Sequence, residues 1–231
     1  MTHVPMETEP DRDCPLCPRL ADFRAESRAA NPSWHNAPVF SFGSHDATLL
    51  IVGLAPGMRG ANRTGRPFTG DFAGDLLYAT LLELGLARGT YEARPDDGLE
   101  LVDCRITNAV RCVPPANKPT PAEIKSCRSF LDATISSMPR LSVILPLGRI
   151  AHDSVLASLD VRRSAFPFGH GSIHEIRPGL SVHDSYHCSR YNTNTGVLTP
   201  EMFRTVLLAA RDRARAGSSS ETRSARSRTS G

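Results

Sequence analysis

Four of the six cysteines fall into two pairs, Cys14-x2-Cys17 near the start and Cys112-x14-Cys127 about a hundred residues later. Thiolates bind soft metals, so four of them suit a tetrahedral zinc or an iron–sulfur cluster. The second spacing is not that of a zinc knuckle, and unrelated buried thiols read equally well from spacing alone. Cys104 and Cys188 lie outside the pairs, and Cys104 falls in a predicted strand as a core residue. A second group is the run from Gly53 through Leu54, Ala55, Pro56 and Gly57 to Arg63, Arg66, Phe68 and Asp71. Glycines after a strand let backbone N–H groups approach a ligand. Neither G-x-G-x-x-G nor a G-K-[ST] ending is present, which disfavours a phosphate-binding nucleotide loop. Two arginines, a ring and a carboxylate instead suit an extruded nucleotide: cations for phosphates, a face for stacking, an acid for chemistry. The third group is Ser185-Tyr186-His187-Cys188-Ser189-Arg190. His170 is a weaker candidate, and Arg149 reads either as a phosphate contact or as a helix-face charge.

These groups need a scaffold, and the apolar pattern supplies one. Residues 47–52, 104–110, 141–147 and 180–186 read as short buried strands. Helical spacing runs over 71–86, from Thr120 with its Pro121 and Glu123, from Gly148 to Leu159, and from Thr199 to about Ala214. Strands alternating with helices predict a largely parallel α/β sheet with helices on both faces. Ligands of such sheets bind beyond the carboxyl ends of the strands. The segments beginning at Gly53, Arg111, Gly148 and His187 all fall there.

Composition is that of an ordinary globular chain, with 40% hydrophobic residues and no apolar run long enough to span a membrane. The first thirteen residues lack the apolar core of a secretory signal, which gives a cytoplasmic expectation and, with it, thiols or metal ligands rather than disulfides. The formal charge of +3 is misleading. Six arginines and two acids lie between Arg211 and Gly231; without them 21 basic and 22 acidic residues leave −1. A nucleic-acid surface would have to be a local patch. The expectation is one domain over 1–215 and a Ser/Arg-rich tail without structure over 216–231.

The motifs CPLCPRL, GLAPG, NRTGRPFTGD, NAVRCVPPANKPTPAEIKSC, LGRIA, FPFGHG and SYHCSRYNTNTGVLTPEMF occur in this order. Together they resemble the iron–sulfur uracil-DNA glycosylases, type 5 in particular, from Cys14 to about Arg211. The resemblance implies a three-layer αβα sandwich around a four-stranded, mostly parallel sheet. It implies a [4Fe–4S] cluster on Cys14, Cys17, Cys112 and Cys127. Asp71 and Asn117 match positions tied to type 5 activity, and His187 matches the histidine of the last motif. Type 4 relatives carry an acid where Leu54 stands, whereas Asn108 resembles type 4 more than some type 5 sequences. The implied activity is extrusion of uracil, and of other deaminated or damaged bases such as hypoxanthine, from double-stranded DNA, followed by hydrolysis of the N-glycosidic bond. Gly53, Leu54, Ala55, Phe68 and Asn108 are the expected substrate contacts. The expected protein is a monomer with neither a membrane nor an obligate protein partner. The rival readings are a nucleic-acid-binding module stapled by the cluster and a nucleotide-binding enzyme using the glycine loop.

Overall fold

The computed structural model describes residues 9–228. Its centre is a sheet of five strands: β1 (Leu49–Gly53), β4 (Cys104–Asn108), β5 (Val143–Pro146), β6 (Ile173–Arg177) and β7 (Leu180–His183), in the order β4-β1-β5-β7-β6. Two short strands, β2 (Ala87–Arg88) and β3 (Glu100–Leu101), pair apart from it as an antiparallel ribbon. β4, β1, β5 and β7 are parallel, as the four apolar runs predict. The strand count needs correction. A fifth strand, β6, runs antiparallel along the β7 edge. Its Ile-His-Glu-Ile-Arg sequence is exposed or only half buried throughout, so it lacks the apolar run that marks the inner strands.

Alternation along β1 separates two cores. Leu49 and Ile51 face α3 (Phe72–Glu83) and α7 (Pro200–Arg228), packing with Leu77, Leu81, Phe203 and Leu207. Leu50 and Val52 face the opposite way, toward α4 (Pro121–Ser136) and α5 (Arg149–Ser158), with Leu131, Ile135 and Val155. The result is the expected three layers. α4 begins at the capping box read from the sequence: Thr120 Oγ1 accepts from Glu123 N, and Glu123 Oε2 accepts from Thr120 N at 2.7 Å. Arg19, on α1 (Pro18–Ala30), holds the same Glu123 carboxylate with two bonds of 2.7 Å and so ties the N-terminal helix to α4. α7 runs past Ala214, where the sequence pattern ends it, through the Ser/Arg segment to Arg228. Extending a helix already nucleated by packing is far easier than starting one. No helix among the described residues is long and apolar enough to cross a membrane.

Candidate active site and cysteine centre

Parallel strands bring the predicted chemistry to one edge. Gly53, the last residue of β1, pairs in register with Asn108, the last of β4. A Cβ on Gly53 would overlap Asn108 Oδ1 and lie 2.6 Å from Phe68 Cζ, so only glycine fits beneath these two side chains. Phe68 itself is buried at φ +52, an unfavourable backbone for a bulky residue. The turn around it holds it there. Tyr78 donates to Pro67 O at 2.6 Å, Thr64 Oγ1 donates to Thr69 O, and Arg66 Nε donates to Thr69 Oγ1. Arg66 also makes two bonds of 2.8 Å to Asp97, with both side chains at most 5% exposed. The expectation that both Arg63 and Arg66 serve phosphates is therefore corrected for Arg66, whose charge is consumed inside the fold. Arg63 is exposed.

Asp71 caps α3, its Oδ1 accepting from Gly74 N at 3.1 Å. Its other oxygen lies against the glycine loop: a Cβ on Gly60 would overlap Oδ2, and one on Gly57 would stand 3.0 Å away. The carboxylate is thus capped on one oxygen and enclosed by backbone on the other. His187 follows β7, its ring centroid 6.1 Å from that of Phe68. Burial pushes His187 below the ordinary histidine pKa, against the opposing pull of the Asp71 charge, so the imidazole is neutral at neutral pH. Asn108 Oδ1 is buried and has no hydrogen-bond partner among the described residues. An orphaned buried acceptor is unusual and costly, and it calls for a donor from outside the protein.

Other sequence expectations fall differently. Leu54 is half buried, and Ala55 packs toward the cysteines rather than toward Phe68. The short loop after β1 thus spans both centres. Asn117 sits exposed at φ +57 in a single 3₁₀ turn, Pro115–Asn117, and its side chain makes no hydrogen bond among the described residues. Nothing in these contacts joins it to Asp71 or His187. His170 Nδ1 accepts from Tyr186 N at 3.1 Å, and the two rings stack at 4.9 Å, which makes it a brace for the strand end before His187.

Cys14, Cys17, Cys112 and Cys127 line one small cavity with Leu20, Arg24 and Val110. Two of the sulfurs already accept hydrogen bonds, Cys112 from the buried Arg24 at 3.4 Å and Cys127 from Arg111 N at 3.3 Å. Burial lifts the thiol of Cys112 to about 11 and that of Cys127 to about 12, so a metal group entering the site displaces protons. No three of these sulfurs lie within 4.8 Å of one another. A single zinc, with Zn–S near ~2.3 Å, draws tetrahedral thiolates to about 3.8 Å apart. The four donors are all soft.

Among the described residues one group of donors does meet the tighter spacing, His152, His174 and Asp184. No sequence motif marks it, because its members come from a helix, an edge strand and a strand end. His152 Nδ1 lies 2.6 Å from Asp184 Oδ1 and Nε2 lies 2.9 Å from Phe166 O. Both neighbours only accept, so both ring nitrogens carry protons. Burial opposes that charge, but the Asp184 bond prevails and raises the His152 pKa. Asp184 thereby joins both histidines, His174 Nε2 lying 3.2 Å from its Oδ2.

The sequence model of the uracil DNA glycosylase superfamily matches residues 40–211. A type-5 uracil-DNA glycosylase of Thermus thermophilus is 46% identical over 204 residues, covering 86% of this chain and 92% of the relative. One from Pyrobaculum aerophilum is 39% identical over 86% of this chain and 88% of its own. A type-4 uracil-DNA glycosylase of Archaeoglobus fulgidus is 33% identical over 58% of this chain and 60% of its own. The chain belongs to the uracil-DNA glycosylase superfamily and, within it, to the type-5 uracil-DNA glycosylases.

Proposed function

We propose that this protein excises uracil from double-stranded DNA by flipping the nucleotide into the pocket between Phe68, Asn108 and His187 and hydrolysing its N-glycosidic bond. The observation that carries the reading is the orphaned Asn108 Oδ1. Uracil presents a ring N–H beside a carbonyl, so one edge offers the donor that this oxygen lacks. His187, kept neutral by burial, has a ring N–H to offer the adjacent base oxygen as negative charge develops there. Phe68 supplies the stacking face, and Gly53 leaves the floor open. Asp71 stabilises the oxocarbenium-like sugar or orients the incoming water, its capping bond fixing the carboxylate before substrate arrives. Asn117 is assigned to hold the water or the sugar on its match to the type-5 motif alone, since its exposed side chain touches neither Asp71 nor His187. The type-5 names of the relatives support this assignment.

Breadth follows from the same chemistry. Hypoxanthine carries the same N–H and C=O pair as uracil, whereas cytosine and adenine have an acceptor nitrogen in place of that N–H. With the apolar Leu54 in the loop, the pocket selects the deaminated edge rather than ring size. Mismatched pairs are preferred because they unstack at lower cost. The test is a panel of duplexes carrying uracil, hypoxanthine, cytosine or adenine, with enzyme in excess. Cleavage of the first two alone is expected; cleavage confined to uracil rejects the breadth, and cleavage of cytosine rejects the Asn108 reading.

Cys14, Cys17, Cys112 and Cys127 hold a [4Fe–4S] cluster in this proposal, supported by their all-thiol donor set around one cavity. When bound, it joins the N-terminal segment to the β4–α4 connection and takes no part in bond cleavage. Protein purified without oxygen should contain about four irons per chain with acid-labile sulfide. Stoichiometric zinc without sulfide overturns the assignment.

A further inference from the structure

Two arginines near His187 share an arrangement that neither the fold nor the proposed chemistry requires. Arg149 opens α5 and Arg190 opens α6 (Arg190–Asn194); both are exposed, and neither guanidinium makes an ion pair or hydrogen bond among the described residues. Each lies over a phenylalanine instead, Arg149 at 5.3 Å from the Phe168 ring centroid and Arg190 at 5.4 Å from that of Phe72. The third arginine over aromatic rings, Arg66, is the buried partner of Asp97. Both seats, half buried, adjoin the reaction centre. Phe72 follows Asp71 directly. Gly148, the residue before Arg149, runs beside His187, where an added Cβ would stand 3.5 Å from the histidine Cβ. The Phe168 seat is itself anchored: Asp184 accepts from Gly169 N and pairs with the buried His152, whose ring meets Phe168 edge-on at 5.5 Å.

A cation at the first turn of a helix opposes the helix dipole, so Arg149 is not placed there for the stability of α5. Stacking on a ring leaves the N–H fork free and removes rotamer freedom in advance, which favours binding of an oxyanion from outside. Resting on the glycosylase reading above, we propose that Arg149 and Arg190 form a clamp for the two backbone phosphates that flank the extruded nucleotide, one arginine to each. The clamp holds the strand at the pocket mouth while the base is out of the stack.

The probe is a duplex with a single tetrahydrofuran abasic analogue, which the enzyme can bind but not cleave. Affinity is measured over a several-fold range of KCl with the cluster-loaded protein. Arg149→Gln and Arg190→Gln should each flatten the slope of log affinity against log salt by about 0.9, and the double variant by about twice that. Arg177→Gln, at the opposite end of the sheet, should leave the slope unchanged. Phe168→Leu and Phe72→Leu should weaken binding about two- to fivefold at an unaltered slope, since the charge stays and only its seat goes. Replacing one flanking phosphate by a neutral methylphosphonate should abolish the effect of one arginine substitution, and replacing the other should abolish that of its counterpart. Wild-type slopes in both arginine variants overturn the clamp, as do losses that persist on both methylphosphonate duplexes. Uracil excision by the wild type, measured alongside, tests the parent reading separately.

Discussion

Replacing Asn108 by alanine separates a binding residue from a structural one. Among the described residues its buried Oδ1 has no partner, a condition that costs about 1–3 kcal/mol. Asn108→Ala removes that penalty and leaves a small void worth about 1 kcal/mol in the other direction. The two nearly cancel, so stability should hold within about 1 kcal/mol of wild type or rise. Catalysis should respond oppositely. A uracil N–H driven into this pocket without an acceptor loses about 1–3 kcal/mol, which is about 5- to 150-fold in single-turnover excision, at 1.36 kcal/mol per decade. Thermal unfolding and excision from a U·G duplex, measured on the same preparation, decide the matter. A loss of more than about 2 kcal/mol of stability with excision intact would refute the assignment, because Asn108 would then be a satisfied core residue.

Asp71→Asn and His187→Ala should each retain the fold and iron content while slowing excision, His187→Ala by about 3–4 kcal/mol if its bond forms in the transition state; wild-type single-turnover rates in both show the site to be elsewhere. Asp97→Asn should destabilise by about 3–5 kcal/mol because it strands the buried Arg66 charge, and an unchanged melting temperature contradicts the role given to this pair in holding the Phe68 turn. The Arg66 bond keeps the Asp97 carboxyl well below the usual range, so this contribution persists through mild acid and is lost progressively as pH falls from the ordinary carboxylate range towards that low value. His183 behaves differently: burial and the Arg213 charge push it down to about 4. The unfolded chain therefore binds the extra proton first, and stability should decline as pH falls from about 6.5 towards about 4. His183→Gln should flatten that decline, and an identical pH profile in the variant removes the attribution.

The sequence displayed the parts of the fold that rest on continuous apolar runs. The four parallel strands, the capped start of α4 and the Asp71 start of α3 are all local signals. β6 was hidden because an edge strand with one poorly covered face needs no apolar run. The site was legible in outline for a related reason: parallel strands end on one edge, so motifs after strand ends must meet. The finer assignments were hidden because they depend on pairing across long stretches of chain. Arg66 reads as a free cation until Asp97, 31 residues away, claims it. Ala55 reads as pocket lining until the packing of Leu20 and Val110 turns it toward the cysteines. Asn108 reads as any strand-end amide; only the three-dimensional account of donors leaves its oxygen without a partner.

Uracil excision is decided by incubating the cluster-loaded protein, in excess, with a labelled duplex holding one U·G pair and treating the product with alkali. Strand scission at the uracil alone is expected, with free uracil released in equal amount and neither product from Asp71→Asn under the same conditions at early times. Intact DNA after exposure to the wild-type protein, with iron and sulfide present in full, would contradict it.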